Sequence, residues 1–170
     1  MEAFRSKTLC IVIRCIYIYL DMNQSLLPDL GCMCGSLRRT SRALTQHYEE
    51  ALRPLGLRST QFTILQVLSR AGEVSQGQLG TMLAMDSTTL TRTLEIMRRQ
   101  GWVAERPGRD RRERLLSLAK GGETKLKRAL PIWEKVQSRL RRQVGPQVWE
   151  HLLHLTHELT NVATTPGDSR

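Results

Sequence analysis

The chain has 170 residues with a formal net charge of +10, from 26 Lys and Arg against 16 Asp and Glu. That length holds one core, or one domain with a helical extension, and the positive balance suits a polyanionic partner, nucleic acid ahead of an anionic membrane surface. Aromatic residues make up only 5%, too few for single-strand binding through stacked bases. No glycine-rich phosphate loop, nucleophile with a plausible base or carboxylate pair in its own context appears, so neither an enzyme nor a cofactor is expected.

Residues 1–30 open with an almost wholly apolar run, 9–20, interrupted by Arg14 and too short to span a membrane. Arg5 and Lys7 ahead of it give some signal-peptide character, but 21–30 has no small-residue cleavage site. We expect translation to begin at Met22, ahead of an ordered arm or a membrane anchor. The expected location is cytoplasmic, with no membrane partner. Leu37, Leu44, Tyr48, Ala51 and Leu52 then predict a helix over about 33–53, closed by Pro54 and Gly56. Phe62, Leu65 and Leu68 predict a second core helix over about 60–70.

Ser75 followed by Gln78 is a capping box, and Leu79, Met82 and Leu83 continue it as an apolar stripe. Ala84 and Met85 make a turn, Asp86 or Ser87 caps the next helix, and Gly101 gives it a left-handed stop near residue 100. Within it Leu90, Leu94 and Met97 share one face, which turns Thr88, Thr91, Arg92, Glu95 and Arg99 outward. A solvated face is the plain alternative. Thr88, Thr89 and Thr91 are poor helix formers, however, and short hydroxyls at a helix start suit close approach to phosphates and base edges. Ser87, Thr88, Thr89, Thr91, Arg92 and Arg99 are therefore the candidate DNA-binding residues of this helix. Arg92 can grip a guanine or a phosphate.

Two extended runs follow, 102–106 and 114–118, joined by Pro107-Gly108-Arg109-Asp110-Arg111-Arg112. A basic ribbon tip fits a narrow, electronegative minor groove, so Arg109, Arg111 and Arg112 join the site and Asp110 is read as the residue that orients a neighbouring Arg. Helix, turn, helix and hairpin in this order describe a winged helix-turn-helix.

Leu126, Leu130, Trp133, Val136 and Leu140 make a long amphipathic helix with Pro131 as an expected kink, and Val148, Leu152, Leu155, Leu159 and Val162 make another. Large apolar faces without a core of their own are most economically buried against a second copy. His151, His154 and His157 step around about a third of the helix circumference, which reads as a polar edge and not a metal site. The fold class is thus mainly α with a small β-hairpin wing. The winged helix-turn-helix, 58–118, is flanked by dimerisation helices in 31–57 and 119–163, and 164–170 is expected to be a disordered tail.

The chain resembles the MarR family of bacterial transcription regulators over roughly 35–163. The wing pattern D-x-R-x-x-x-hydrophobic-x-L is met by Asp110, Arg112, Leu116 and Leu118, with further matches at Pro54-Leu55-Gly56-Leu57, 61–65 and 85–91. The family usually continues with Thr to start the next helix, where this chain has Ala119. The resemblance implies a homodimer on double-stranded DNA at an inverted repeat, its half-sites about 34–36 Å apart. It also implies an effector that alters the two DNA-binding lobes and releases the operator. Some relatives activate instead. A non-specific architectural DNA-binding protein is the alternative class.

The effector is a small molecule or an oxidant. Cys32 and Cys34 start the first predicted helix, where the helix dipole and Arg38 and Arg39 favour a thiolate. Aligning 41–44 with the organic-hydroperoxide-sensing branch of the family puts Cys34 at its peroxidatic position and Tyr48 at one thiolate-binding tyrosine; Arg38 stands at the second. An ordinary buried cysteine, a redox sensor and a soft-metal sensor remain the open readings of Cys34.

Overall fold

The computed structural model describes residues 31–110 and 113–164. The expectations for 1–30, for Arg111 and Arg112 and for 165–170 lie outside the described residues. The chain divides into two compact units, Met1–Ala43 and Leu44–Arg170, and the core belongs to the second.

Helix α1, Met33–Leu52, closes in a 3-10 turn at Arg53–Leu55, where Pro54 cannot continue an α-helical ladder and Gly56 takes the left-handed conformation at φ 61. Helix α2, Ser59–Ala71, follows. Its first turn is satisfied from two sides: Glu49 of α1 accepts the Ser59 N–H at 2.9 Å, and Gln61 Oε1 accepts the Arg58 N–H at 2.9 Å. Strand β1, Val74–Ser75, runs directly into helix α3, Gln76–Leu83, and α4 spans Ser87–Arg99. Strands β2, Val103–Pro107, and β3, Arg114–Leu118, form the wing, and two long helices, α5, Lys120–Val144, and α6, Pro146–Thr164, end the described chain.

The sheet is antiparallel with order β1-β3-β2, Val74 facing Leu116 and Val103 facing Leu118 across it. The two wing strands are those the sequence predicts. Strand β1 is not, because two residues carry no periodicity; it exists through its partner β3. Ser75 ends that strand and also caps α3, so the pairing ties the entrance of the helix pair to the wing.

One core unites these elements: Leu52, Leu57, Phe62, Ile64, Leu65, Leu68, Leu79, Leu90, Leu94, Met97, Trp102, Val103, Leu116, Leu126 and Ala129 are all buried. Helix α2 packs on both α5 and β3, which explains why Ile64 is buried beside the expected stripe of Phe62, Leu65 and Leu68. Met82 departs from expectation. It is 55% exposed because the short α3 turns only Leu79 fully inward, with Leu83 against the edge of the core.

Helix α5 is longer than its apolar stripe predicts. It starts straight after β3 and passes through Pro131 without ending, because a proline removes one hydrogen bond while the flanking turns remain. Its N-cap is Ala119, which offers no side-chain acceptor. Helix α6 runs through Thr164, a residue that composition assigned to the polar tail. None of its residues is buried; Val148 is 58% and Leu155 52% exposed, so its apolar face has no cover among the described residues.

The junction of α5 with the wing depends on two glycines. A Cβ on Gly122 would lie 2.1 Å from Trp102 O and 2.8 Å from Leu118 Cδ1, and one on Gly121 would lie 2.5 Å from Gly101 O. Lys125, one turn on, holds Leu55 O at 2.9 Å and stands 4.8 Å from the Trp102 ring centroid. Gly122→Ala should therefore cost about 1–3 kcal/mol in thermal or urea unfolding, overpacking outweighing the gain in helix propensity. Gly77→Ala is the control, since its Cβ meets only Ser75 Oγ at 4.0 Å; it should be neutral or stabilising by a few tenths of a kcal/mol.

Candidate nucleic-acid interface

The predicted capping box at the start of α3 is formed: Ser75 Oγ accepts the Gln78 N–H at 3.2 Å and Gln78 Oε1 accepts the Ser75 N–H at 2.8 Å. The turn that follows places Ala84 at φ 48, the one described non-glycine residue in the left-handed region. Of the two candidates for the α4 cap, Asp86 takes the role, its Oδ1 accepting the Thr89 N–H at 2.8 Å. At the other end Gly101, at φ 68, donates to Arg98 O and Trp102 N–H donates to Met97 O, a pair of bonds that closes the last turn as the glycine stop predicts.

Between these ends α4 has two sharply different faces. Leu90, Leu94 and Met97 are all but sealed in the core, at 1%, 0% and 0% exposure. Ser87, Thr88, Thr89, Thr91, Arg92, Glu95 and Arg99 are all exposed. The outward residues are not equally free. Arg99 pairs with Glu95 one turn back. Thr91 donates its hydroxyl proton to Ser87 O at 2.7 Å and accepts a bond from Gln76 Nε2 at 2.8 Å. Arg92 makes no ion pair among the described residues, which leaves its guanidinium available to an incoming anion.

The wing is braced by two acidic residues, Glu73 and Glu105, that carry no motif in the sequence. Glu105 on β2 is half-buried between Arg98 of α4 and Arg114 of β3, the latter at 3.3 Å, so one carboxylate links the helix to both wing strands. Glu73, before β1, holds Arg106 of β2 with Nε to Oε2 at 2.7 Å, and this contact raises the already high guanidinium pKa. Three of the arginines around the hairpin are thereby architectural. Such pairs carry no local spacing signal, since 73 and 106, or 98 and 114 with 105 between them, come together only in the folded chain. At the tip, the Glu113 N–H donates to Asp110 O and the Gly108 N–H to Glu113 O, each at 2.9 Å, folding the loop back on itself. Arg109 is exposed there, beside Asp110.

The thiol candidates lie on α1. Cys32 and Cys34 are both exposed within the chain, unlike an ordinary buried cysteine. Gly35 N–H approaches Cys32 Sγ at 3.4 Å, a sulfur taking the place of the usual cap oxygen, and Arg38 Nη2 reaches Cys34 Sγ at 4.0 Å. Tyr48 is half-buried, and burial raises its phenol pKa. His154 Nδ1 lies 3.4 Å from Glu158, and no group of three His, Cys, Asp or Glu among the described residues is placed to hold a metal. No described helix is long and apolar enough to cross a membrane.

The cap of α4 makes a pH prediction. Hydrogen bonds donated by the Thr89 side chain and backbone hold the Asp86 carboxyl below its ordinary pKa. A depressed acid contributes stability above its unfolded pKa of about 3.9 and loses it as pH falls through the lower folded value. Asp86→Asn keeps a capping oxygen without the titration. It should flatten the loss of melting temperature below about pH 4, whereas Asp86→Ala should lower the melting temperature at neutral pH as well. Calorimetry across pH 3–7 checks both.

Comparison with known proteins agrees with this geometry. The model of the MarR family matches residues 55–113, the segment from the 3-10 turn to the wing tip. An HTH-type transcriptional regulator of Bacillus subtilis, YwoH, is 34% identical over 89 residues; the match covers 52% of this chain and 65% of that relative, just under two thirds of its length. The organic hydroperoxide resistance transcriptional regulator of the same organism is 31% identical over 101 residues, covering 59% of this chain and 69% of that one. Among solved structures, the M. tuberculosis transcriptional regulator MosR in complex with DNA shares 36% identity and a TM-score of 0.68, covering 79% of this chain and 99% of that chain. A mutant MarR from E. coli complexed with operator DNA shares the fold at 23% identity and a TM-score of 0.69, covering 78% and 99% of the two chains. With the helix pair, its caps and the three-stranded wing in place, this chain belongs to the MarR family of transcriptional regulators.

Proposed function

We propose that the protein is a repressor that binds an inverted-repeat operator as a homodimer and is released by a small-molecule or thiol-oxidising effector. The observation that carries this reading is the division of α4, a helix anchored by Leu90, Leu94 and Met97 and presenting Ser87, Thr88, Thr91 and Arg92 outward beside a basic hairpin. A rigidly seated helix can enter a major groove while the wing follows the adjacent minor groove through Arg109, Arg111 and Arg112. MosR, similar at 36% identity over 99% of its chain, is solved in complex with DNA, which supports DNA binding by this chain.

Dimerisation is assigned to α1, α5 and α6. The uncovered apolar face of α6 supports it, because Val148, Leu152, Leu155 and Val162 gain burial only against another surface. Cys34 is the thiol assigned to sensing. Its exposure and the guanidinium of Arg38 beside its sulfur suit attack on a peroxide, and the similarity to a hydroperoxide resistance regulator points the same way.

A competition assay between an operator selected from random duplexes and a scrambled duplex tests the function. Specific binding should exceed non-specific binding by about a thousandfold or more, while an architectural protein would bind both alike. In the same assay Arg92→Ala should weaken operator binding by about 1–3 kcal/mol. Loss of preference at one symmetric pair of positions marks a base contact; a uniform loss marks a phosphate contact.

For the thiol, wild type and Cys34→Ser are treated with an organic hydroperoxide. Oxidation of the thiolate gives a sulfenic acid that a second thiol converts to a disulfide. Wild type should release the operator and the serine variant should stay bound. Equal behaviour would make Cys34 structural and turn the search to a small-molecule inducer.

A further inference from the structure

Thr91 sits at the centre of the outward face of α4, yet its hydroxyl is already committed. A threonine hydroxyl has one proton and two lone pairs, and in a helix its side chain divides between two rotamers. Here the proton goes to Ser87 O at 2.7 Å, one turn back, and a lone pair receives Gln76 Nε2 at 2.8 Å. Because the proton is spent on Ser87, Gln76 must approach with its amide nitrogen, and the two bonds are mutually consistent. Gln76 is the first residue of α3, so its side chain bridges the two helices of the DNA-reading pair. The consequence is chemical: Thr91 has no proton left to donate to a base, and its outward apolar group is the methyl.

We infer that Gln76 is a positioning residue that holds Thr91 so that its methyl group, and not its hydroxyl proton, is offered to a thymine methyl in the major groove. Threonine methyls are suited to that contact, and the thymine C5-methyl is the one apolar mark on a base edge in that groove. The inference rests on the proposed docking of α4 and adds to it a named base and a residue outside α4 that governs its reading. Freeing Thr91 from Gln76 restores the second rotamer and blurs the preference.

The test uses the full-length protein and its selected duplex, with each thymine replaced in turn by deoxyuridine, which removes the methyl alone. Wild type should show one symmetric pair of thymines at which this replacement weakens binding about fourfold per half-site, the value of one buried methyl. Thr91→Ser, which keeps the hydroxyl and lacks the methyl, should be insensitive at that pair. Thr91→Val, which lacks the hydroxyl but is held by its own single preferred helical rotamer with a methyl on each γ position, should remain sensitive without help from Gln76. Gln76→Ala should lose most of the thymine preference there while binding the deoxyuridine duplex as well as wild type does. If no such pair exists, or Thr91→Ser retains the sensitivity, the methyl contact is wrong. Were Gln76→Ala instead to weaken every duplex equally with the preference intact, Gln76 would be a phosphate contact and its positioning role would be overturned. A wild-type protein that prefers no duplex at all would overturn the proposed function, and this inference with it.

Discussion

The seating of α4 on the core is the constraint on which the rest of the structure depends. Leu90, Leu94 and Met97 are sealed beneath it, and burial of each such side chain is worth about 1.5–3 kcal/mol. That anchorage fixes the rotation of the helix about its own axis. Rotation in turn decides which residues face outward, so the identity of the exposed face of α4 follows from three apolar residues beneath it. Both ends of the helix are closed as well, by Asp86 at the start and by the Gly101 turn at the finish. A helix so confined loses little further freedom on binding, which favours a specific complex over a loose one.

The wing acquires its rigidity differently. A hairpin alone is marginal in water, and this one gains a third strand from the two residues before α3 and a carboxylate tie through Glu105 to Arg98 and Arg114. The close approach of Gly121 and Gly122 to Gly101 and Trp102 then lets α5 leave the sheet without a gap. Reading helix, hairpin and long helix are thus locked to one another through a few contacts around Trp102 and Glu105. Helix α5 starts directly at the base of the wing and continues unbroken for 25 residues.

Charge alone is a poor guide to this surface. Several arginines that composition counts toward a polyanionic partner are engaged within the fold, Arg98, Arg106 and Arg114 with wing-bracing carboxylates and Arg99 with Glu95. Arg92, by contrast, makes no ion pair among the described residues, and Arg109 is exposed at the wing. The distinction matters for mutagenesis, since loss of a bracing arginine disturbs the hairpin whereas loss of Arg92 disturbs only what the helix meets.

Much of this was legible in the sequence because it is local. Capping boxes, left-handed glycine stops and apolar spacing act within a few residues, so the start of α3, the approximate extent of α4 with its cap narrowed to Asp86 or Ser87, its inward stripe and the two wing strands could be read without a structure. What tertiary structure decided is what arises between residues far apart in the chain. Strand β1 exists only because β3 is beside it, Met82 stays outside because α3 is too short to turn it inward, and Glu105 finds Arg98 and Arg114 only when helix and hairpin meet. The state of Thr91 belongs with these. Its place on the outward face and the bond of its hydroxyl to Ser87 O one turn back follow from helical periodicity, but the Gln76 amide that donates to the same oxygen comes from across the turn, which no periodicity encodes.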